Sequence, residues 1–396
     1  MYRAASLHSL ENSGSMNFRT IVVVGGGSAG VEVIRGLAKK LNKSKHRLIL
    51  ITSRPRFTFL PATQRLLVRG DVPLSNVFWP YDQIFGGFPG EIIVGKVTYL
   101  EENYRKGDSG GFIVLERGER IGYDCAVLAT GSHFPGHLDF PLDDNGIIQH
   151  VQSWRQRIAS SRNIVIVGGG AVGIEMSGEI RDAYPTKNVT LVHNNCLLLD
   201  DTYPDRFRMD IEIGLRKRKI DMVFNESMSS DSKGLLPISD GQDFLRCDLL
   251  IPARGGRPNT NYLRFLRPSI LTPSGHIKVH STLQVKSHPN IFALGDIVDW
   301  PEVKTLSKIT FGQSAVVIGN VSSFIKGKTL KKIYKGTSEV LAVSNGSNAG
   351  ASYIGFLGGL TLGSGLTTMI KSKDLGINTA RRIVGLPAGV EEEEYE

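Results

Sequence analysis

A repeated strand–turn–helix constrains this chain more than any other feature. Thr20-Ile-Val-Val-Val-Gly-Gly-Gly-Ser-Ala-Gly30 opens with apolar and β-branched residues suited to a buried strand, then places Gly25, Gly27 and Gly30 as G-x-G-x-x-G. Ser28 and Ala29 complete the turn, and Val31 to Leu41 reads as a helix. Each glycine has its own task. Gly25 permits the tight turn, Gly27 lets backbone approach a pyrophosphate, and Gly30 brings helix and strand together, with the helix N-terminus facing the phosphate charge. Asn163-Ile-Val-Ile-Val-Gly-Gly-Gly-Ala-Val-Gly-Ile-Glu-Met-Ser-Gly-Glu-Ile180 repeats the pattern with Gly168, Gly170 and Gly173. A lone G-x-G-x-x-G also occurs in ordinary glycine turns. Two copies, each between its own strand and helix, imply two dinucleotide sites. A facing pair of nucleotides is the arrangement for passing a hydride from nicotinamide to flavin.

The cysteines narrow that chemistry. Cys125, Cys196 and Cys247 stand singly, with no C-x-x-C or C-x-x-x-x-C beside either glycine motif. This argues against reductases in which a cysteine pair takes electrons from flavin. It also leaves no disulfide framework and no metal-ligand spacing. The 396 residues suggest two or three domains, and a hydrophobic share of 41% describes a globular protein. No run of about eighteen apolar residues is present to span a membrane. The formal charge is +9, with basic clusters at Arg216-Lys-Arg-Lys219 and between Lys326 and Lys335. Solvated helix faces plus a polyphosphate site account for such a balance. Attraction to anionic lipid or nucleic acid is the other reading, and nucleic acid is not the expected partner.

Taken in order, residues 1–17 are serine-rich and read as a disordered tail. They contain no apolar core of a secretory signal. A mitochondrial presequence would want more arginine, so import stays open. His46 to Thr52 reads as the second strand of the first unit. An acid usually ends that strand and holds the adenosine ribose. Thr52 and Ser53 stand there instead, and their hydroxyls can still bond ribose. Arg54 and Arg56 read either as phosphate or adenine contacts or as a solvated loop; Phe57 to Ala62 either walls a flavin or fills core. Asp124 to Ser132 is a strand whose terminal Thr130 and Gly131 let backbone pass close to a cofactor. In the second unit His193 and Asn194 replace the acid, so NADPH is not repelled, and no arginine stands there to bind its 2′-phosphate. Cys247 to Asn259 ends in a turn like the first. Gly275 to Val279 and Leu283 to Val285 read as strands. Asn290 to Asp296 is a buried strand delivering Gly295 and Asp296, a carboxylate placed either to bond a ribityl hydroxyl or to cap the next helix. Thr305 to Phe324 reads as that helix, Val340 to Ile370 as a small sheet, and Glu391 to Glu396 as an acidic disordered tail.

From about Thr20 to Ile383 the chain resembles the two-dinucleotide flavoprotein family. Within it, the likeness is to the apoptosis-inducing-factor-like group and, more loosely, to type II NADH dehydrogenases. The resemblance is carried by Gly25 to Gly30, Ala129-Thr-Gly-Ser132, Val167 to Glu175 with Gly178-Glu-Ile180, Leu294-Gly-Asp296 and Ile370-Lys-Ser-Lys-Asp-Leu375. It implies an α/β fold with two Rossmann-like domains in a glutathione-reductase-like arrangement and a small C-terminal α+β region. The implied division is an FAD-binding domain over 18–138 and 270–335, an NAD(P)H-binding domain over 139–269 and a C-terminal region over 336–396. It further implies that Asp296 binds FAD, that Glu175 lies at the nicotinamide–flavin contact, that Lys371 lies near the active site, and that Arg65 matches a basic residue beside the cofactor. A quinone is the implied acceptor. Thr52 in place of an acid and Arg254 before Gly255 depart from the family pattern, and Met1-Tyr2 offers no glycine for N-myristoylation at this start.

The expected activity is that of an FAD-dependent NAD(P)H:quinone oxidoreductase, cytoplasmic or peripheral on a membrane such as a lipid droplet or the mitochondrial outer surface. The rivals are a ferredoxin or rubredoxin reductase, and an apoptosis-inducing-factor-like signalling protein whose basic surface binds nucleic acid. Oligomeric state is left open. Tyr353 to Leu360, with Lys371 to Lys373 beside it, reads either as a shallow membrane contact or as a sheet face covering the FAD domain.

Overall fold

Strands whose central residues are all apolar must be covered on both faces, and this chain supplies the helices to cover them. The computed structural model describes residues 18–102, 110–228, 234–237 and 244–389, so the expected tails at 1–17 and Glu391 to Glu396 lie outside the described residues. Strand β1 (Arg19–Val24) is buried from Ile21 onward and runs through the turn into α1 (Ser28–Ala38). β2 (His46–Thr52) returns parallel to β1, pairing Ile21 with Leu48 and Val24 with Ile51. α2 (Thr63–Val68) and β3 (Glu91–Val94) follow, then an antiparallel trio, Val97–Glu102, Gly111–Leu115 and Arg120–Tyr123, which leads to β4 (Cys125–Leu128).

The second unit begins with α3 (Asp144–Ser160), whose preceding Asp143 accepts a hydrogen bond from the Gly146 amide at 2.8 Å. β5 (Asn163–Val167), α4 (Ala171–Ala183), β6 (Asn188–Val192), α5 (Asp205–Lys217), β7 (Asp221–Val223) and β8 (Leu249–Pro252) complete it. The chain then returns. β9 (Ile291–Ala293) pairs with β4, giving a parallel first sheet in the order β9-β4-β1-β2-β3 beside a parallel second sheet in the order β7-β6-β5-β8. The two connecting segments run side by side: Ser132 pairs antiparallel with Pro258, and His133 with Arg257. After α6 (Ser314–Ile325) comes the antiparallel sheet β10 (Val340–Ser344), β11 (Gly350–Ile354) and β12 (Leu360–Leu362), then α7 (Ile377–Val384).

Two stretches differ from expectation. Gly275 to Val279 and Leu283 to Val285 form single bridges, Ile277 with Leu271 and Val298, and Val279 with Val285, instead of strands. Gln284 makes a further single bridge, to Phe292 of β9. The expected helix over Thr305 to Phe324 is broken into a short turn at Leu306–Lys308, a wide π turn at Ile309–Gln313, and α6. The widened turn lets the buried Gln313 accept a hydrogen bond from the Gly295 amide at 2.6 Å, and such turns are often found at functional sites.

His137 occupies the first connecting segment, fully buried and edge-on to Trp154 at 5.9 Å. Burial pushes its imidazole down from 6.5 to about 4. Between those values the unfolded chain binds a proton that the folded chain refuses, so acidification must cost stability, on the order of 3 kcal/mol across the interval. Melting temperature should therefore fall as pH drops from about 6.5 towards 4, and His137→Leu should flatten that fall.

Candidate functional site

The two glycine turns are built alike. Gly25 and Gly168 have φ of +115° and +128°, and a Cβ there would lie 2.2 Å and 2.3 Å from the carbonyl oxygens of Ala129 and Ala253. Only glycine lets the turn pass that close to the neighbouring strand end. A Cβ on Gly30 or Gly173 would collide with the carbonyl of its own turn, at 1.8 Å and 2.0 Å. Gly27 and Gly170 meet nothing within 4 Å, so each turn faces open space. No side chain caps α1 or α4, and neither has an acid in its first turn. The leading amides, including those of Ser28, Ala29 and Gly30, thus point at a space that suits a pyrophosphate.

The residues ending β2 and β6 serve these turns from beneath. Thr52 is buried, and its Oγ1 donates to the Arg54 carbonyl at 3.1 Å. His193 is buried with its Nδ1 accepting from the Gly169 amide at 3.1 Å, and burial holds its imidazole below the usual value. Ser53 and Asn194, one residue further on, are exposed at the strand ends and are the better placed for a ribose. Arg54 donates to the carbonyls of Phe140 and Pro141, at 2.6 and 3.2 Å, and Arg56 pairs with Asp144 at 3.2 Å. Both arginines therefore tie the first unit to the start of the second. Phe57 and Phe59 stack on Trp79 and fill core.

Asp296 and Gly295 come together with the first turn. A Cβ on Gly295 would lie 3.4 Å from that of Ala29, and Ser132 donates to Asp296 Oδ2 at 2.9 Å. Gly131, at φ +61°, opens onto empty space beside them, while the Thr130 hydroxyl donates to the Asn259 carbonyl at 2.7 Å. One carboxylate, open backbone at Gly131 and a phosphate-sized turn fit a cofactor with a polyhydroxyl chain and a pyrophosphate.

Helix α4 joins everything else. Glu175, Glu179 and Asp182 recur at helical spacing on one face. Glu175 is buried; it accepts from the Ser344 amide at 3.2 Å and from the Lys371 ammonium, which also donates to the Ala342 carbonyl at 2.7 Å. Glu179 holds Arg65 at 2.8 Å. Burial raises the Glu179 carboxyl above its usual range, and the Arg65 guanidinium opposes that shift. Arg65 also donates to the carbonyls of Ser372 and Lys373, at 2.7 and 2.8 Å. Its donors thus bind α2 to α4 and the C-terminal region, where the resemblance implied a place beside the cofactor. Asp182 pairs with Arg218 and accepts from the Ser347 amide at 2.7 Å.

Three residues to which the sequence assigned no role hold this region together. The Tyr81 hydroxyl donates to the Gly26 carbonyl at 2.9 Å and so fastens the first turn. Gln313 holds the Gly295 amide. Glu32 accepts from Thr310 at 2.6 Å and from Ser314 at 2.8 Å, and burial raises its carboxyl. Glu32 follows the third glycine of its turn by two residues, as Glu175 does, and overlaying the two repeats would have exposed it.

A family model described as pyridine nucleotide-disulphide oxidoreductase matches residues 19–316. The chain is similar to the FAD-dependent oxidoreductase FVFD30 of Flammulina velutipes, 36% identical over 308 residues, covering 77% of this chain and 94% of that one. Ferroptosis suppressor protein 1 of Homo sapiens is 26% identical over 380 residues, covering 91% of this chain and 94% of its own length. Among solved structures, the sulfide:quinone oxidoreductase of Aquifex aeolicus shares the fold with a TM-score of 0.71 over 93% of this chain and 92% of that one, at 16% identity. The covalent putidaredoxin reductase–putidaredoxin complex does so with a TM-score of 0.65, over 84% and 80% of the two chains, at 18% identity.

The Glu175–Lys371 contact makes a separable prediction. Lys371→Met leaves a buried carboxylate without its cation, which costs about 3 kcal/mol, whereas adding Glu175→Gln removes the stranded charge. Melting temperature should drop in the single variant and recover in the double variant.

Proposed function

This chain belongs to the pyridine nucleotide-disulphide oxidoreductase family, and we propose that it carries electrons from NADH or NADPH, through FAD, to a quinone. It is an FAD-dependent NAD(P)H oxidoreductase. When bound, FAD supplies the step between two-electron donor and acceptor. The chain's own residues bind, orient and shield. The first turn with Gly295 and Asp296 is assigned to FAD, and the second turn, with Gly168, Gly170 and Gly173, to the nicotinamide dinucleotide. His193 and Asn194 carry no negative charge against a 2′-phosphate and supply no arginine for it, so both nicotinamides serve as donors.

One observation carries the choice of acceptor. Met369 and Ile370 are 80% and 55% exposed, and the next residue, Lys371, turns inward to the buried Glu175. Three consecutive residues therefore lead from an apolar surface to a polar pair at α4. Phe356, Leu357 and Leu360 are exposed nearby in sequence, while Tyr353 packs inward on Phe207 at 5.6 Å. The stretch from Tyr353 to Leu360 thus divides, its first residue inside and its tip outside. A quinone combines an apolar tail with carbonyl oxygens, and the Lys371 ammonium, with two of its three donors engaged within the protein, keeps one for such an oxygen. Cys125 and Cys247 are buried singly and Cys196 is exposed, so no dithiol stands ready to take the electrons instead. The name of the Aquifex aeolicus neighbour also contains a quinone, on the same fold.

Phe356→Glu places a charge on the exposed tip without disturbing core. It should lower turnover with a membrane-embedded long-tailed quinone by about tenfold or more, the scale of a ~1.4 kcal/mol loss at an interface. Ferricyanide reduction and melting temperature should hold. Equal loss with both acceptors would show that Phe356 supports the fold and not the acceptor.

A further inference from the structure

Between α6 and β10 the chain runs back along α6 as an extended strap that pairs with no strand. Asn320 of α6 holds its middle: its amide donates to the Lys332 carbonyl at 2.7 Å, and its oxygen accepts from the Lys332 amide at 3.0 Å. The Tyr334 amide donates to the Ser281 carbonyl at 2.7 Å. Tyr334 itself is buried, its hydroxyl on Glu302 at 2.7 Å.

The outer side of this strap is strongly one-signed. Lys326, Lys328, Lys331, Lys332 and Lys335 are all exposed, and no acidic residue stands between Lys326 and Ser338. The carboxylates at the strap's inner side and end are engaged elsewhere, Glu302 by Tyr334 and Glu339 by the buried Lys308 at 2.6 Å. Among these lysines stands Ile333, 54% exposed. Beside the strap, the wide turn presents Phe311 at 69% exposure, and a Cβ on its neighbour Gly312 would lie 2.7 Å from Thr337. The strap ends at Glu339, whose carbonyl accepts from the Gly355 amide at 2.7 Å, next to the exposed Phe356 and Leu357.

We propose that this lysine strap, with Phe311 and Ile333, docks the protein on an anionic membrane surface. The docking stands on charge and exposure, and rests on the quinone reading only for its use. Flexible lysine ammoniums on an extended segment suit lipid headgroups, and two exposed apolar side chains suit shallow insertion among them. Nucleic acid is less suited: the strap has no arginine to fork a phosphate or stack on a base.

Vesicle sedimentation of the full FAD-loaded chain tests this without any quinone, so its failure is distinct from failure of the acceptor reading. Phosphatidylcholine vesicles should leave the protein in solution, vesicles enriched in phosphatidylserine should bind it, and high salt should release it. The triple variant K331E/K332E/K335E should lose on the order of a hundredfold in partitioning, at about 1 kcal/mol per lysine removed. Its ferricyanide activity and melting temperature should be unchanged. Equal binding to neutral and anionic vesicles, or wild-type binding by the triple variant, would overturn the proposal. So would tighter binding to a DNA duplex than to the anionic vesicles at the same salt.

Discussion

The buried pair between Arg65 and Glu179 is the contact on which the placement of the C-terminal region against α4 depends. A guanidinium and a carboxylate withdrawn from water stabilise a fold only when their remaining hydrogen-bonding capacity is met. Here it is met from three directions: α2 supplies Arg65, α4 supplies Glu179, and the carbonyls of Ser372 and Lys373 complete the set. Removing either partner strands the other, at about 3–5 kcal/mol. The same pair brings Lys371 alongside Glu175, one turn earlier on α4. Gly178 between them lets the chain at Asn345 and Gly346 press on the helix, since a Cβ there would lie 2.4 Å from the Gly346 amide. Two domains and the C-terminal region thus meet on one helix face.

The duplicated turn explains why α4 can do this. In the first unit the equivalent carboxylate, Glu32, is held by hydroxyls of Thr310 and Ser314 and links α1 to α6. In the second, Glu175 is held by a lysine ammonium from the C-terminal region. One motif fixes a helix N-terminus at a turn suited to a phosphate. The residue two positions beyond it then reaches whatever packs on that helix: a structural helix in one copy, the candidate acceptor side in the other.

The glycine turns were legible in the sequence because their cause is local and steric. No residue with a side chain fits where Gly25 meets the Ala129 carbonyl, so the spacing alone declares the geometry. The strand ends were less legible. Thr52 and His193 stand where a ribose-binding acid belongs, but their side chains turn under Gly26 and Gly169, a direction that residue type does not encode. Arg65 was hardest, because the partner that claims it lies 114 residues away. Likewise, nothing local distinguishes Tyr353, which packs on α5, from Phe356, which faces outward; the turn between them follows from the Gly355 amide binding Glu339.

The most direct test separates the two half-reactions. Under anaerobic conditions the purified protein is mixed first with NADH or NADPH and then with a soluble ubiquinone analogue, while flavin absorbance is followed. The expected result is a yellow protein whose flavin is bleached by either nicotinamide and restored by the quinone at a rate that supports turnover. A protein with no flavin, or one whose bleached flavin is restored by an iron–sulphur protein and not by the quinone, would contradict it.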